Sequence, residues 1–174
     1  GEFGFQLLPK DRISHQDRWL ARISHTYRFS SSHAFGVNGT RVSDNDYFAD
    51  FGSSVLAASQ RILPATFQLN GNYNGWSYLT VFQRYQVLQD PGAPILPPYE
   101  WSPRIRLTKN DSMNFLDFNL DTINSVELTH FTHPSMADGT RFVSESIFSS
   151  PFQLGGLRFL TQAGLNITTY SHSK

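Results

Sequence analysis

The 174-residue sequence predicts an all-β fold, an antiparallel up-and-down transmembrane β-barrel segment of about nine strands. Three observations lead there. Period-two alternation of apolar and polar residues dominates the chain, and helical periodicity is nearly absent. The alternating runs are longer than the ~5–6 residues usual for globular strands. The connections between them alternate between tight turns and longer loops, the asymmetry of bacterial barrels.

The elements follow in order. Strands are expected at 3–9, 18–29, 35–43, 63–74, 76–88, 103–109, 114–132, 140–152 and 157–170. In the second, Ala21, Ile23, Tyr27 and Phe29 oppose Arg22, Ser24, Thr26 and Arg28. In the fourth, Ala65, Phe67 and Leu69 oppose Thr66, Gln68, Asn70 and Asn72. In the seventh, Leu116, Phe118, Leu120, Val126 and Leu128 oppose Asp117, Asn119, Asp121 and Glu127. In the ninth, Leu157, Phe159, Ala163, Leu165 and Ile167 oppose Arg158, Gln162, Asn166 and Thr168. The fifth carries apolar residues on both faces, so its faces stay unassigned. Residues 52–62 are the best helical candidate. Tight turns are expected at 30–34, at Asn74-Gly75, at 110–113 and at 153–156, with longer loops at 10–17, 44–62, 89–102 and 133–139. Pro151 lies where it would cost a ladder hydrogen bond, which reads as a strand terminus or a bulge.

The composition narrows the function. Lys+Arg and Asp+Glu are both 14, a balance without the basic excess of nucleic-acid binders. Charged residues are 16% and aromatics 14%, with 15 Phe; a charged share this far below the usual ~25% suits a chain with one face in lipid. No apolar run approaches the ~20 residues of a membrane helix, but a barrel strand needs only ~9–11, every second one apolar. Cysteine is absent, so thiolate chemistry and disulfides are excluded within the segment. The chain starts at Gly1 without a signal-peptide pattern and reads as a piece of a longer protein.

Chemistry-bearing patterns are sparse. His130 and His133, near Asp121 and Glu127 in sequence, form a His-x-x-His pair where a strand runs into a loop, so the two rings need not face the same way, and Asp44-Asn45-Asp46 resembles half a calcium loop without the Gly and Glu that should follow. No nucleophile elbow or phosphate-binding glycine loop occurs. The expectation is therefore no catalytic residue, no metal, no cofactor and no enzyme. A soluble β-sandwich or receptor-binding module is the rival reading of the same pattern.

Four segments, in order, carry a resemblance. They are Arg41-Val42-Ser43-Asp44-Asn45-Asp46-Tyr47-Phe48-Ala49-Asp50-Phe51, then residues 82–91, then residues 97–105, and last residues 141–170. Together with an upstream Leu-Pro-x-Asp-Arg element at 8–12, they resemble the LptD family of lipopolysaccharide-export proteins, also called organic solvent tolerance proteins. Trp101-Ser102 departs from the family's commoner residues before Pro103. The resemblance implies a non-enzymatic translocon of the Gram-negative cell outer membrane that inserts lipopolysaccharide into the outer leaflet. It also implies a lumen plugged by the lipoprotein LptE, and a periplasmic bridge docking on a jellyroll that, like the last strands, is missing from residues 1–174. Lumen-facing candidates are Arg22, Arg28, Gln68, Asn70, Asn72, Asp117, Asn119 and Asp121. The extracellular-loop motif comprises Arg41, Asp44, Asp46, Tyr47 and Phe48.

Overall fold

A computed structural model describes residues 1–115 and 118–172. It contains one nine-stranded antiparallel sheet in which every strand pairs with its neighbours in sequence. The strands are β1 (Glu2–Leu8), β2 (Arg18–Arg28), β3 (His33–Val42), β4 (Ile62–Tyr73), β5 (Trp76–Val87), β6 (Glu100–Phe115), β7 (Phe118–Thr132), β8 (Gly139–Leu154) and β9 (Leu157–His172). Two short helices, α1 (Tyr47–Phe51) and α2 (Val55–Ala58), lie between β3 and β4. Among the described residues β1 and β9 do not pair, so the sheet is an open wall.

The wall is two-faced. Cross-strand partners share a face, so the register sorts the side chains. One row runs Ser24–Asn38–Thr66–Gln83 and the next Arg28–Ala34–Asn70–Leu79, on a predominantly polar face. The other face carries Phe3–Ile23–Gly39–Ala65 and Val37–Phe67–Phe82. Phe35, Phe67 and Phe82 form a ladder there, with ring centroids 6.2 and 6.3 Å apart. These rings and aliphatics are uncovered, with Phe5 55%, Leu165 60% and Ile167 50% exposed. A sandwich would bury such a face under a second sheet; the described residues supply none.

β6, β8 and β9 each have 16 residues. At ~3.3 Å per residue they span about 50 Å. That is more than a tilted strand needs to cross a ~25 Å apolar band.

The expected elements are corrected in several places. β6 extends well beyond 103–109, and 110–113 is no turn: Asn110 pairs with Ile123, Ser112 with Asp121 and Asn114 with Asn119. The run Lys109-Asn110-Asp111-Ser112 is polar on both faces, so alternation cannot mark it as strand; Lys109 and Asp111 share the apolar face as an ion pair of 2.9 Å. The single helix expected at 52–62 is replaced by α1 and α2, because Ser54 caps α2 by accepting from Ala57 N–H at 3.2 Å. Pro151 is neither terminus nor bulge. It pairs with Leu160 inside β8, beyond Ser149, where the β7 ladder has ended, so its missing N–H interrupts no β7–β8 pair.

A bulge does occur in β6. Ser102 and Pro103, joined by a cis peptide, together oppose Phe82 alone on β5 and His130 alone on β7. The extra residue places Trp101 and Arg104, three apart, on the same face.

Candidate functional site

Two charge clusters stand at the long-loop end of the wall. The first centres on Arg18, the first residue of β2, only 5% exposed. Its Nε and Nη2 donate to the two oxygens of Asp44 at 3.0 and 2.7 Å, a bidentate fork. Nη1 donates to Asp50 at 2.6 Å and to Asp11 at 3.5 Å. The guanidinium also lies 4.6 Å from the Phe51 ring centroid. One strand residue thereby ties together the β1–β2 loop and the β3–β4 loop. Asp46 N–H donates to Asp44 at 3.1 Å at the start of α1. Tyr47 and Phe48 then turn down into a buried cluster with Leu20, Val42, Leu63 and Leu88. Tyr47 also donates its hydroxyl to Gln6 at 3.2 Å. Leu20, Val42 and Gln6 belong to the polar-face rows, so this loop folds over that face.

Burial pushes the Asp44 carboxyl upward, but the bonds from Arg18, Ser43 and the Asp46 N–H outweigh it and hold it below its ordinary range. Asp11 is lowered too, first by the Ile13 N–H and against a smaller opposing effect of burial. Burial raises the Tyr47 phenol, keeping it neutral.

The second cluster lies on the polar face. Glu127 accepts from Arg104 at 2.7 Å and Arg141 at 2.9 Å, one from each adjacent strand. Thr129 adds a bond of 3.3 Å. Arg104 lies 5.0 Å from the Trp101 ring and Arg141 5.3 Å from the Phe131 ring, so aromatics flank both cations.

The register shows which face the expected lumen candidates occupy. Arg22, Arg28, Gln68, Asn70, Asn72, Asn119 and Asp121 lie on one face, linked through rows such as Gln68–Val81–Arg104–Thr129. They are spread along it rather than gathered into one pocket. Gln68 lies flat over Gly36, where an added Cβ would come within 3.2 Å of it. Asn72 accepts from Ser77 at 2.6 Å and Asn119 from Ser112 at 3.1 Å. Asp117 is outside the described residues. Of the loop motif, Asp44 and Tyr47 lie against Arg18, Asp46 donates its N–H to Asp44 and Phe48 packs into the buried cluster, whereas Arg41 is on the opposite face by register. Arg18 itself was missed: a cation at a strand start has no local partner in sequence, its nearest acid in the cluster being Asp11 and its best Asp44.

His130 and His133 serve structure. His130 Nδ1 meets the Thr140 hydroxyl at 3.0 Å. His133 Nδ1 accepts from Met136 N–H at 2.9 Å and its Nε2 donates to the Pro97 carbonyl at 2.8 Å, joining two loops.

A two-faced meander of long strands, with tight turns along one margin and long, internally latched loops along the other, is the wall of an antiparallel β-barrel. The chain matches the family model for LPS transport system D, LptD, over residues 16–174. It is 30% identical over 98% of its length to the LPS-assembly protein LptD of Nitrosomonas eutropha, covering 24% of that protein. Identity is 32% to the corresponding proteins of Chromobacterium violaceum and Azoarcus sp., again over 98% of this chain and covering 22% and 21% of theirs. The chain belongs to the LptD family and spans about a quarter or less of the length of these relatives.

Proposed function

We propose that this chain is part of the wall of an outer-membrane β-barrel that delivers lipopolysaccharide to the outer leaflet, without catalysing a reaction. The observation that carries the reading is the sorting of residues in an LptD-family chain onto two faces. Passing an amphiphile requires polar surface for sugars and phosphates and apolar surface for lipid; it requires no nucleophile. In this reading Arg22, Arg28, Gln68, Asn70, Asn72, Asn119 and Asp121 face a wet lumen, and the Phe35–Phe67–Phe82 ladder faces lipid. The lumen holds the lipoprotein LptE, and a periplasmic bridge supplies the cargo. The long loops, latched by Arg18, lie at the cell surface.

The test places single cysteines at Ser54, in a long loop, and at Gly156, in a tight turn where nothing lies within 4 Å of an added Cβ. The full-length parent, otherwise thiol-free, is treated in intact cells with a membrane-impermeant maleimide. Labelling at Ser54 alone is expected, with loss of surface lipopolysaccharide when the protein is depleted. Labelling at both positions or at neither would sink the reading.

A further inference from the structure

At the long-loop end β3 and β4 part company. Their ladder stops at the pair Gly39–Ala65, although both strands continue. Beside the gap lies a cavity of about 610 Å³, lined mainly by apolar-face residues such as Ile23, Gly39, Arg41 and Arg84, with Glu100 and the polar-face Arg22 also on its wall. A second hollow of about 260 Å³ shares Ile23, Gly39, Ala65 and Arg84 with it and runs on past Val37, Phe67 and Phe82. The register orders these residues along the strands. Arg41 is nearest the loops; the row Ile23–Gly39–Ala65–Arg84 comes next; the row Val37–Phe67–Phe82 lies toward the tight turns. The result is a cleft with cations at its outer end and an apolar floor leading away from them.

The cations are loosely engaged. Among the described residues the Arg41 side chain has no hydrogen-bond or ion-pair partner. Arg84 is 76% exposed and only 3.9 Å from Glu100, which itself accepts from the Tyr85 N–H. A charge on a lipid-facing surface is costly unless it reaches the interface or meets a counter-ion, and guanidinium groups pair well with phosphate. Small residues at Gly39 and Ala65 keep the floor open between the two arginines.

We propose that this cleft is a docking site on the outer wall for one phosphorylated, acylated glycolipid of the leaflet facing the long loops. Its phosphate sits between Arg41 and Arg84, and an acyl chain lies along Ile23, Val37, Phe67 and Phe82. The assignment rests on the orientation given under the proposed function, because the long loops must face the glycolipid leaflet. Charge and polarity run in the same order along the cleft as along such a lipid, head outward and chain inward. Apart from Arg22 at its wall, the site lies on the face opposite the lumen candidates, so it holds lipid beside the barrel.

The test places a photoreactive benzoylphenylalanine at Phe67 in the full-length protein in living cells, with the same substitution at Phe148, elsewhere on the apolar face, as reference. The expected result is a lipopolysaccharide adduct at Phe67 several-fold above that at Phe148. Arg41→Ala with Arg84→Ala should lower it to the reference level without changing the Phe148 adduct, and Arg41→Lys with Arg84→Lys should retain it. Equal adducts at both positions, an adduct indifferent to the alanine pair, or a glycerophospholipid adduct at Phe67 would overturn the proposal. The maleimide pattern reads orientation separately, so failure here with Ser54 still labelled alone rejects the cleft and not the barrel wall.

Discussion

The side-chain amide of Gln86 on β5 bonds both backbone groups of Val42 on β3: its Oε1 accepts from Val42 N–H at 3.0 Å and its Nε2 donates to the Val42 carbonyl at 2.8 Å. Because β3 and β4 have separated there, the amide stands in for a missing strand. Gln86→Leu removes both bonds from a residue only 2% exposed. At about 1–3 kcal/mol for each buried group left unpaired, the full-length barrel should lose roughly 2–4 kcal/mol, part being recovered by water. Urea unfolding in micelles reads the loss. Gln86→Asn should fall short of Val42 and behave like Leu; wild-type stability in both variants would refute the role.

Arg18→Met should release two loops at once. Severing a buried ion pair costs about 3–5 kcal/mol. Asp50 is half-exposed, so about 2 kcal/mol is the better expectation. Hydrogen exchange should speed up in residues 9–17 and 43–61 together, while the β8–β9 hairpin keeps its protection. Arg18→Lys should restore only part, since an ammonium cannot reproduce the fork to Asp44. Faster exchange in only one loop would contradict a shared latch.

Acid should open the same latch. The Asp44 carboxyl is held below its ordinary value in the folded protein, so its stabilising contribution is complete above the unfolded-state carboxylate value. That contribution is lost as pH falls through the lower folded-state value. Protease sensitivity of the β3–β4 loop should therefore be flat at neutral pH and rise only under strong acid. Asp44→Asn should be sensitive at neutral pH with a weaker acid dependence, the remainder arising from Asp11, also lowered. A rise near neutrality would point to another group.

Glu127→Ala should leave Arg104 and Arg141, both about 30% exposed, facing each other across β7. A cost of about 2–3 kcal/mol is expected, below that of a fully buried pair because both cations retain water. Changing Arg104, Glu127 and Arg141 together to Met should cost less than Glu127→Ala alone, since no charge is left unpaired. Micellar unfolding of the wild type and the two variants decides it; a triple variant worse than the single one would mean the network is worth more than its desolvation.

The strand count, the loop alternation and the faces of β2, β4 and β9 were legible because one residue in two is apolar there and the next is polar. The faces of β5 were not. Leu79 and Val81 lie on the polar face and Arg84 and Gln86 on the apolar one, so only pairing with β4 assigns them. The end of β6 was hidden by polar residues on both faces. The site was legible where a local motif marks it, at Asp44 to Phe48. It was illegible where it depends on distant partners, as for Arg18 with Asp44, 26 residues on, and for Gln86 with Val42, 44 residues apart.

The Arg18 fork also makes the two loops depend on the register of β2. Side chains in a strand alternate, so a slip of β2 by one residue against its neighbours would swing Arg18 to the apolar face and leave Asp11, Asp44 and Asp50 without their common cation. A repetitive wall of similar strands offers many near-miss alignments of comparable hydrophobic gain. The correct one alone lets two surface loops close on the same guanidinium, giving a chain of modest local specificity a way to tell its native alignment from the others.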